Sequence, residues 1–273
     1  MKLVECVPNF SEGRDRAILD AIAAQVKSVK NVTLLDVDPG ADTNRTVFTF
    51  VGEPDAVVEA AFLAIKKAAE LIDMSKHHGA HARMGATDVC PFIPVTGMTM
   101  EECVELSKKL AKRVGEELQI PVYLYEYSAS RPERANLAEV RKGEYEALPD
   151  KMKDEYWRPD FGPFAFNEKS GATVIGAREF LIAYNINLNT RDKKKAQDIA
   201  ELIREKGRLK RDANGKIVKD ANGEKVFEDG LFKHCKAVGW YIDEYNRAQI
   251  SMNLTNYNIT PAHLVLEKVR ELA

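Results

Sequence analysis

Three of the chain's five histidines, His77, His78 and His81, fall within five positions, just ahead of Arg83 and the apolar run from Val89 to Val95. Imidazole is the one side chain whose ordinary pKa lets it accept a proton and give it back near neutral pH. Gly79, Ala80, Ala82, Gly85 and Ala86 put little bulk around these rings, so a docked molecule can approach them closely. Loops of this kind, held by regular elements on both sides, are where catalytic groups concentrate, and the chemistry to expect is positioned proton transfer. His81 is the leading candidate, against the plainer reading of a hydrogen-bonded loop histidine. A metal site built from His77, His78 and His81 is disfavoured. Gly79 interrupts the helix that would align residues 77 and 81, and no cysteine or carboxylate stands at ligand spacing, so no metal is expected.

The elements that must hold this loop can be read on both sides of it. Residues 3–7 form a short apolar strand, and Ser11 is placed to cap a helix carrying Ile18, Ile22 and Val26 at helical spacing. Strands are expected at residues 32–37 and 46–51, the first running into the turn Asp38-Pro39-Gly40. Pro54 opens a helix with Val58, Phe62, Ile65, Ala69 and Ile72 on one face. After the histidine loop come a strand at residues 89–95, a helix opened by the capping box Thr99 and Glu102, and a strand at 120–125. Residues 131–171 show no period and read as a long ordered loop.

A second round then begins, with a strand at 180–188, a helix at 192–205, paired strands at 237–243 and 248–253, and a last helix capped by Thr260-Pro261. Asn214-Gly215 and Asn222-Gly223 are strong turn signals in a charged stretch, read as a surface hairpin. The fold class expected is α/β (α+β sandwich): two related α/β subdomains, residues 1–178 and 179–273, with sheets covered by helices and ferredoxin-like βαββα elements.

Composition narrows the class of protein. Of 273 residues, 45% are hydrophobic and 30% charged, as in ordinary globular proteins. The net charge of −2 gives no global pull toward nucleic acid or anionic membrane, so neither is expected as a partner. Cys6, Cys90, Cys103 and Cys235 are scattered and read as reduced thiols. With no signal-like or 18-residue apolar span, a cytoplasmic location is expected.

The segments Val4-Glu5-Cys6-Val7-Pro8-Asn9-Phe10-Ser11-Glu12-Gly13, Leu34-Leu35-Asp36-Val37-Asp38, Asn44-Arg45-Thr46-Val47 and the stretch from His81 to Val95 resemble one family, the glutamate formimidoyltransferases. Gly143-Glu144-Tyr145-Glu146-Ala147-Leu148-Pro149, Pro159-Asp160-Phe161-Gly162-Pro163, Gly171-Ala172-Thr173-Val174, Gly176-Ala177-Arg178 and Val238-Gly239-Trp240-Tyr241 extend the likeness along nearly the whole chain. The double Asn-Gly segment lies outside it, and the family pattern continues through a further apolar segment past the last helix.

The resemblance implies transfer of a formimidoyl group between N-formimidoyl-L-glutamate and N5 of tetrahydrofolate, a late step of histidine degradation. It also implies a homodimer, with folate held between the two subdomains as a co-substrate. The catalytic histidine of the family falls on His81. The folate-binding loop falls on Gly162, Pro163, Phe164, Ala165, Phe166, Asn167, Glu168, Lys169, Ser170 and Gly171, which by composition alone would read as a connector. Attack of one amine on an amidine carbon and expulsion of another needs a proton moved between two nitrogens, which one imidazole can do. A carboxylate is wanted beside the cationic amidine, Asp38 in first place and Asp88 in second. Arg45, Arg83 and Arg178 are the candidates to clamp substrate carboxylates. Two rivals share the site: a folate-dependent formyl transferase, and a non-catalytic folate or amino-acid sensor.

Overall fold

Alternating buried and half-buried residues in Arg45–Gly52 leave one face for a core and one for something else, the pattern of a strand lined on a single side by apolar packing. The computed structural model describes residues 1–273, which divide into two units, Met1–Arg178 and Glu179–Ala273. In the first unit the elements are β1 (Leu3–Cys6), β2 (Asn9–Phe10), α1 (Arg16–Lys27), β3 (Val32–Gly40), β4 (Arg45–Gly52), α2 (Pro54–Leu71), β5 (Thr87–Thr96), α3 (Met100–Glu117), β6 (Val122–Glu126), the short α4 (Leu137–Val140) and α5 (Leu148–Lys151), and β7 (Thr173–Ala177).

β1 and β2 together fill one place in the sheet, both pairing antiparallel with β4 and β5, while β3 pairs with the far side of β4. The order β3-β4-β1/β2-β5 is the ferredoxin-like arrangement anticipated above. β7 and β6 then extend it beyond β5 as parallel strands. One sheet face packs on α1, α2 and α3 through Leu19, Ile22, Val26, Ile65, Leu110 and Val114, with Phe10 and Phe48 edge-to-face at 5.0 Å. Burying each such side chain contributes roughly 1.5–3 kcal/mol.

Two helix starts differ from expectation. Asp15, not Ser11, caps α1, its carboxylate accepting from Ala17 N and Ile18 N. Ser11 instead donates its hydroxyl to Gly85 O at 2.7 Å and so ties β2 to the segment after the histidines. The capping box of Thr99 and Glu102 forms as expected.

The aperiodic stretch 131–171 is not a plain loop. Its short helices and single turns cover the second face of the sheet, where Val140, Leu148 and Met152 pack with Met84, Val89, Tyr123, Tyr125 and Val174. Four-residue helices are too short to show a period, which is why the sequence hid them.

The second unit comprises β8 (Ile182–Asn187), α6 (Lys193–Ile203), β9 (Arg208–Leu209), β10 (Phe227–Glu228), β11 (Cys235–Ile242), β12 (Arg247–Leu254) and α7 (Ala262–Leu272). β11, β12 and β8 form an antiparallel sheet in that order, packed on one face against α6 and α7 through Ile199, Ile203, Ile250, Met252, Val265 and Val269. Between β9 and β10, Asp212 and Asp220 each accept two backbone N–H bonds, and Gly215 and Gly223 supply left-handed turns at φ 77° and 83°. Pro261, rather than Thr260, is the N-cap of α7, because the Thr260 hydroxyl donates to Lys233 O. No helix is long and apolar enough to cross a membrane.

Candidate functional site

The residues before β5 are pinned at both ends. The side-chain amide of Asn44 donates to His78 O and its oxygen accepts from Gly13 N, which holds the histidine loop against the β3–β4 turn. Gly85 lies so close to the backbone of Ser170 and Ala172 that a Cβ there would stand 2.4 Å from either carbonyl oxygen. Only glycine allows that approach.

The three histidines have different fates. His77 is buried: Arg83 Nε donates to its Nδ1 at 3.2 Å, so Nε2 carries the proton and donates to Asn44 O at 2.8 Å. Both its nitrogens are committed to holding the loop. His78 is exposed. His81 is half-buried, and its Nδ1–H donates to Ala82 O at 2.6 Å, which makes Nε2 the basic nitrogen of the neutral ring. Burial pushes the His81 pKa down to about 4. The charges of Arg45 and Arg141 push the same way, and that of Asp88 partly opposes them. At neutral pH this imidazole is uncharged, ready to accept a proton and then hold it weakly.

Asp88 organises the charges the ring feels. It is fully buried near the start of β5 and accepts five N–H bonds: Arg45 Nε at 3.2 Å and Nη2 at 2.8 Å, Arg141 Nε at 3.1 Å and Nη2, and Met84 N at 3.1 Å. Burial alone would raise its pKa, but the guanidiniums of Arg141 and Arg45 outweigh that and hold the carboxyl below its ordinary value. One carboxylate between two arginines leaves a local excess of positive charge. That excess suits a ligand carboxylate.

Arg83 has the opposite balance. Its fork is taken by Glu144 at 2.9 Å and by Glu146 at 2.8 and 2.6 Å, besides His77. Two glutamates already fill its donors, so a substrate carboxylate would have to displace one of them to reach it. Glu144 sits at φ 59°, ψ −156°, a backbone state that costs on the order of 1–3 kcal/mol in a side-chain-bearing residue. These residues, with His78, Gly79 and Gly143, line a cleft of about 380 Å³ whose walls include neither His81 nor Asp88.

Asp38 is exposed on β3. Its register partner is Val47, two residues from Arg45 on β4, so Asp38 and Arg45 share a sheet face. The carboxylate whose charge acts on the His81 ring is Asp88, the second of the two candidates the sequence offers. Arg178 follows β7, half-buried, and its charge acts on Glu5 and Tyr125.

The segment from Gly162 to Gly171 is stitched to the residues between His81 and β5: Ala86 N donates to Ser170 O at 2.9 Å and Ala172 N to Met84 O at 3.1 Å. Tyr145 packs on Phe166 with ring centroids 5.5 Å apart and donates its hydroxyl to Glu168 O at 2.6 Å. The guanidinium of Arg158 covers Phe164 at 4.6 Å. Gly171 takes φ 66° where a Cβ would strike Met84 O, which fixes the end of the segment beside the histidine loop.

Arg141 was missed in the sequence. It follows α4 inside the aperiodic stretch, and nothing local distinguishes it from its charged neighbours.

Comparison with known proteins adds independent findings. Residues 3–178 match the family model described as formiminotransferase domain, N-terminal subdomain, and residues 183–273 match the one described as formiminotransferase domain. The formimidoyltransferase-cyclodeaminase of Dictyostelium discoideum is 52% identical over 98% of this chain, which corresponds to 47% of that protein. The glutamate formimidoyltransferase of Thermoplasma acidophilum is 47% identical over 99% of this chain and 82% of its own length. That of Streptococcus pyogenes serotype M1 is 45% identical over 98% of this chain and 83% of its own length. The chain thus spans about half the length of the formimidoyltransferase-cyclodeaminase and most of the length of the two glutamate formimidoyltransferases.

Proposed function

Because this chain belongs to the formiminotransferase family, we propose that it transfers a formimidoyl group between N-formimidoyl-L-glutamate and tetrahydrofolate, giving 5-formimidoyltetrahydrofolate and L-glutamate. The single observation that carries the mechanism is the placing of the His81 imidazole within the field of the Arg45–Asp88–Arg141 cluster.

N5 of tetrahydrofolate attacks the amidine carbon, and a C–N bond forms. Nε2 of His81 takes the proton from N5. The imidazolium, made acidic by burial and by the two arginines, returns it to the departing glutamate nitrogen as the old C–N bond breaks. Such a positioned transfer contributes about 10²–10⁴ in rate. Asp38 is the carboxylate for the cationic amidine. Unlike Asp88, whose lone pairs face five donors, it stands exposed on the Arg45 face of the sheet. Arg45 and Arg178 serve the substrate carboxylates, and the segment Gly162 to Gly171 binds folate. Arg83 acts as scaffold.

Family membership also supports a place in histidine degradation, a cytoplasmic location, a homodimer, and residues 1–178 as the subdomain carrying the catalytic histidine with 179–273 as its partner. The test is a side-by-side assay of N-formimidoylglutamate and N-formylglutamate as donors to tetrahydrofolate. Turnover with the first alone is expected. Preference for the formyl donor would support the formyl-transferase reading, and binding of folate without turnover on either would support a sensor.

A further inference from the structure

The two faces of the β11-β12-β8 sheet differ in kind. Even-numbered residues of β8 and β12 and odd-numbered residues of β11 pack on α6 and α7. The opposite face carries a cross-strand row of three polar side chains, one from each strand: Trp240, Gln249 and Asn187 are register partners in turn. Trp240 Nε1 donates to Gln249 Oε1 at 2.8 Å, and Gln249 Nε2 donates to Asn187 Oδ1 at 2.8 Å.

The polarity of this row is fixed by its first member. An indole nitrogen can only donate, so the oxygen of Gln249 must face it and the amide NH₂ must face Asn187. Gln249 is 4% exposed, and a buried amide is held to that orientation by the cost of leaving either end unsatisfied. The oxygen of Asn187 is therefore turned inward, and its NH₂ is the outward end of the chain, at an exposed position. Asn185 repeats an exposed amide two residues along β8. The same face carries Arg247 and Lys236, and none of the residues on it within these three strands is acidic.

We propose that this face is a carboxylate-binding subsite, with Asn187 Nδ2 as its aimed donor and Trp240 and Gln249 as positioning residues that set the donor's direction. The ligand class is a glutamyl carboxylate. This rests on the functional reading above, in which both the donor substrate and the folate tail present that chemistry.

The experiment uses the full chain with Asn187→Ala and, separately, Gln249→Glu, which keeps the shape but reverses the polarity of the row and adds a negative charge. Loss of one charge-assisted hydrogen bond corresponds to a rise of about tenfold or more in KM, with a smaller change in kcat. A rise confined to N-formimidoylglutamate puts the donor's carboxylate at Asn187. A rise confined to tetrahydrofolate, absent with tetrahydropteroate, puts the folate tail there. Either supports the proposal. Both KM values within twofold of the parent, or a loss in kcat alone, overturns it. If Gln249→Glu fails to fold, Asn187→Ala, at an exposed position, decides alone. Calorimetry with L-glutamate and with folate reads the same subsite without turnover. A parent chain that transfers no formimidoyl group would therefore sink the functional reading, while the subsite would stand or fall on the binding data.

Discussion

Two arginine clusters flank the same loop and are built from the same residue types in opposite proportion. Around Asp88, one carboxylate serves two arginines; around Arg83, one arginine serves two carboxylates. The first is largely buried, with Asp88 at 0%, Arg45 at 11% and Arg141 at 14% side-chain exposure. In the second only the arginine is buried, and Glu144 and Glu146 are 41% and 60% exposed. The difference is one of charge balance and exposure. An excess of positive charge in a mostly buried place adds to burial in depressing the neighbouring imidazole and suits an anion, whereas a saturated arginine fastens the segment 143–147 to the loop.

The largest effect expected from breaking this contrast is on turnover. His81→Ala should lower kcat by about 10²–10⁴ while leaving the dissociation constant for folate nearly unchanged. The equivalent removal in the other cluster has no proton to misplace and should not reproduce it. Next in size is Asp88→Asn. It leaves two buried guanidiniums without their counter-charge, and urea unfolding should show a loss of roughly 3–5 kcal/mol. Glu146→Gln should cost much less, about 1 kcal/mol or below, because the carboxylate is mostly exposed and Arg83 keeps Glu144. A loss as large as that of Asp88→Asn would erase the distinction between the clusters.

Much of this fold was legible because its long elements advertise themselves. The capping box at Thr99 and Glu102, the Pro54 start and the Asn-Gly turns each carry a local physical signal. Ser11 and Thr260 misled for one reason. Both look like caps, but each hydroxyl was claimed by a distant carbonyl, Gly85 O and Lys233 O, which no local pattern reveals. The candidate site divides the same way. His81 stood out by residue type and neighbours. Arg141 did not, since its importance comes from meeting Asp88 across fifty-three positions of chain. Arg83 was legible as a conspicuous basic residue but not as a saturated one, because Glu144 and Glu146 reach it only after the aperiodic stretch has folded over the sheet.

Burial keeps the His81 ring neutral, and the net-positive Arg45–Asp88–Arg141 cluster reinforces it. The direct measurement is an NMR titration of His81 in the ligand-free protein, beside the Arg141→Met variant. Because folding lowers the ring's pKa from 6.5, its contribution to stability is complete above that pH and is lost as pH falls toward 4, a limb His81→Ala should remove. A midpoint near pH 4 is expected in the parent, moved upward in Arg141→Met. A parent midpoint at 6.5 or above, indifferent to Arg141, would contradict it.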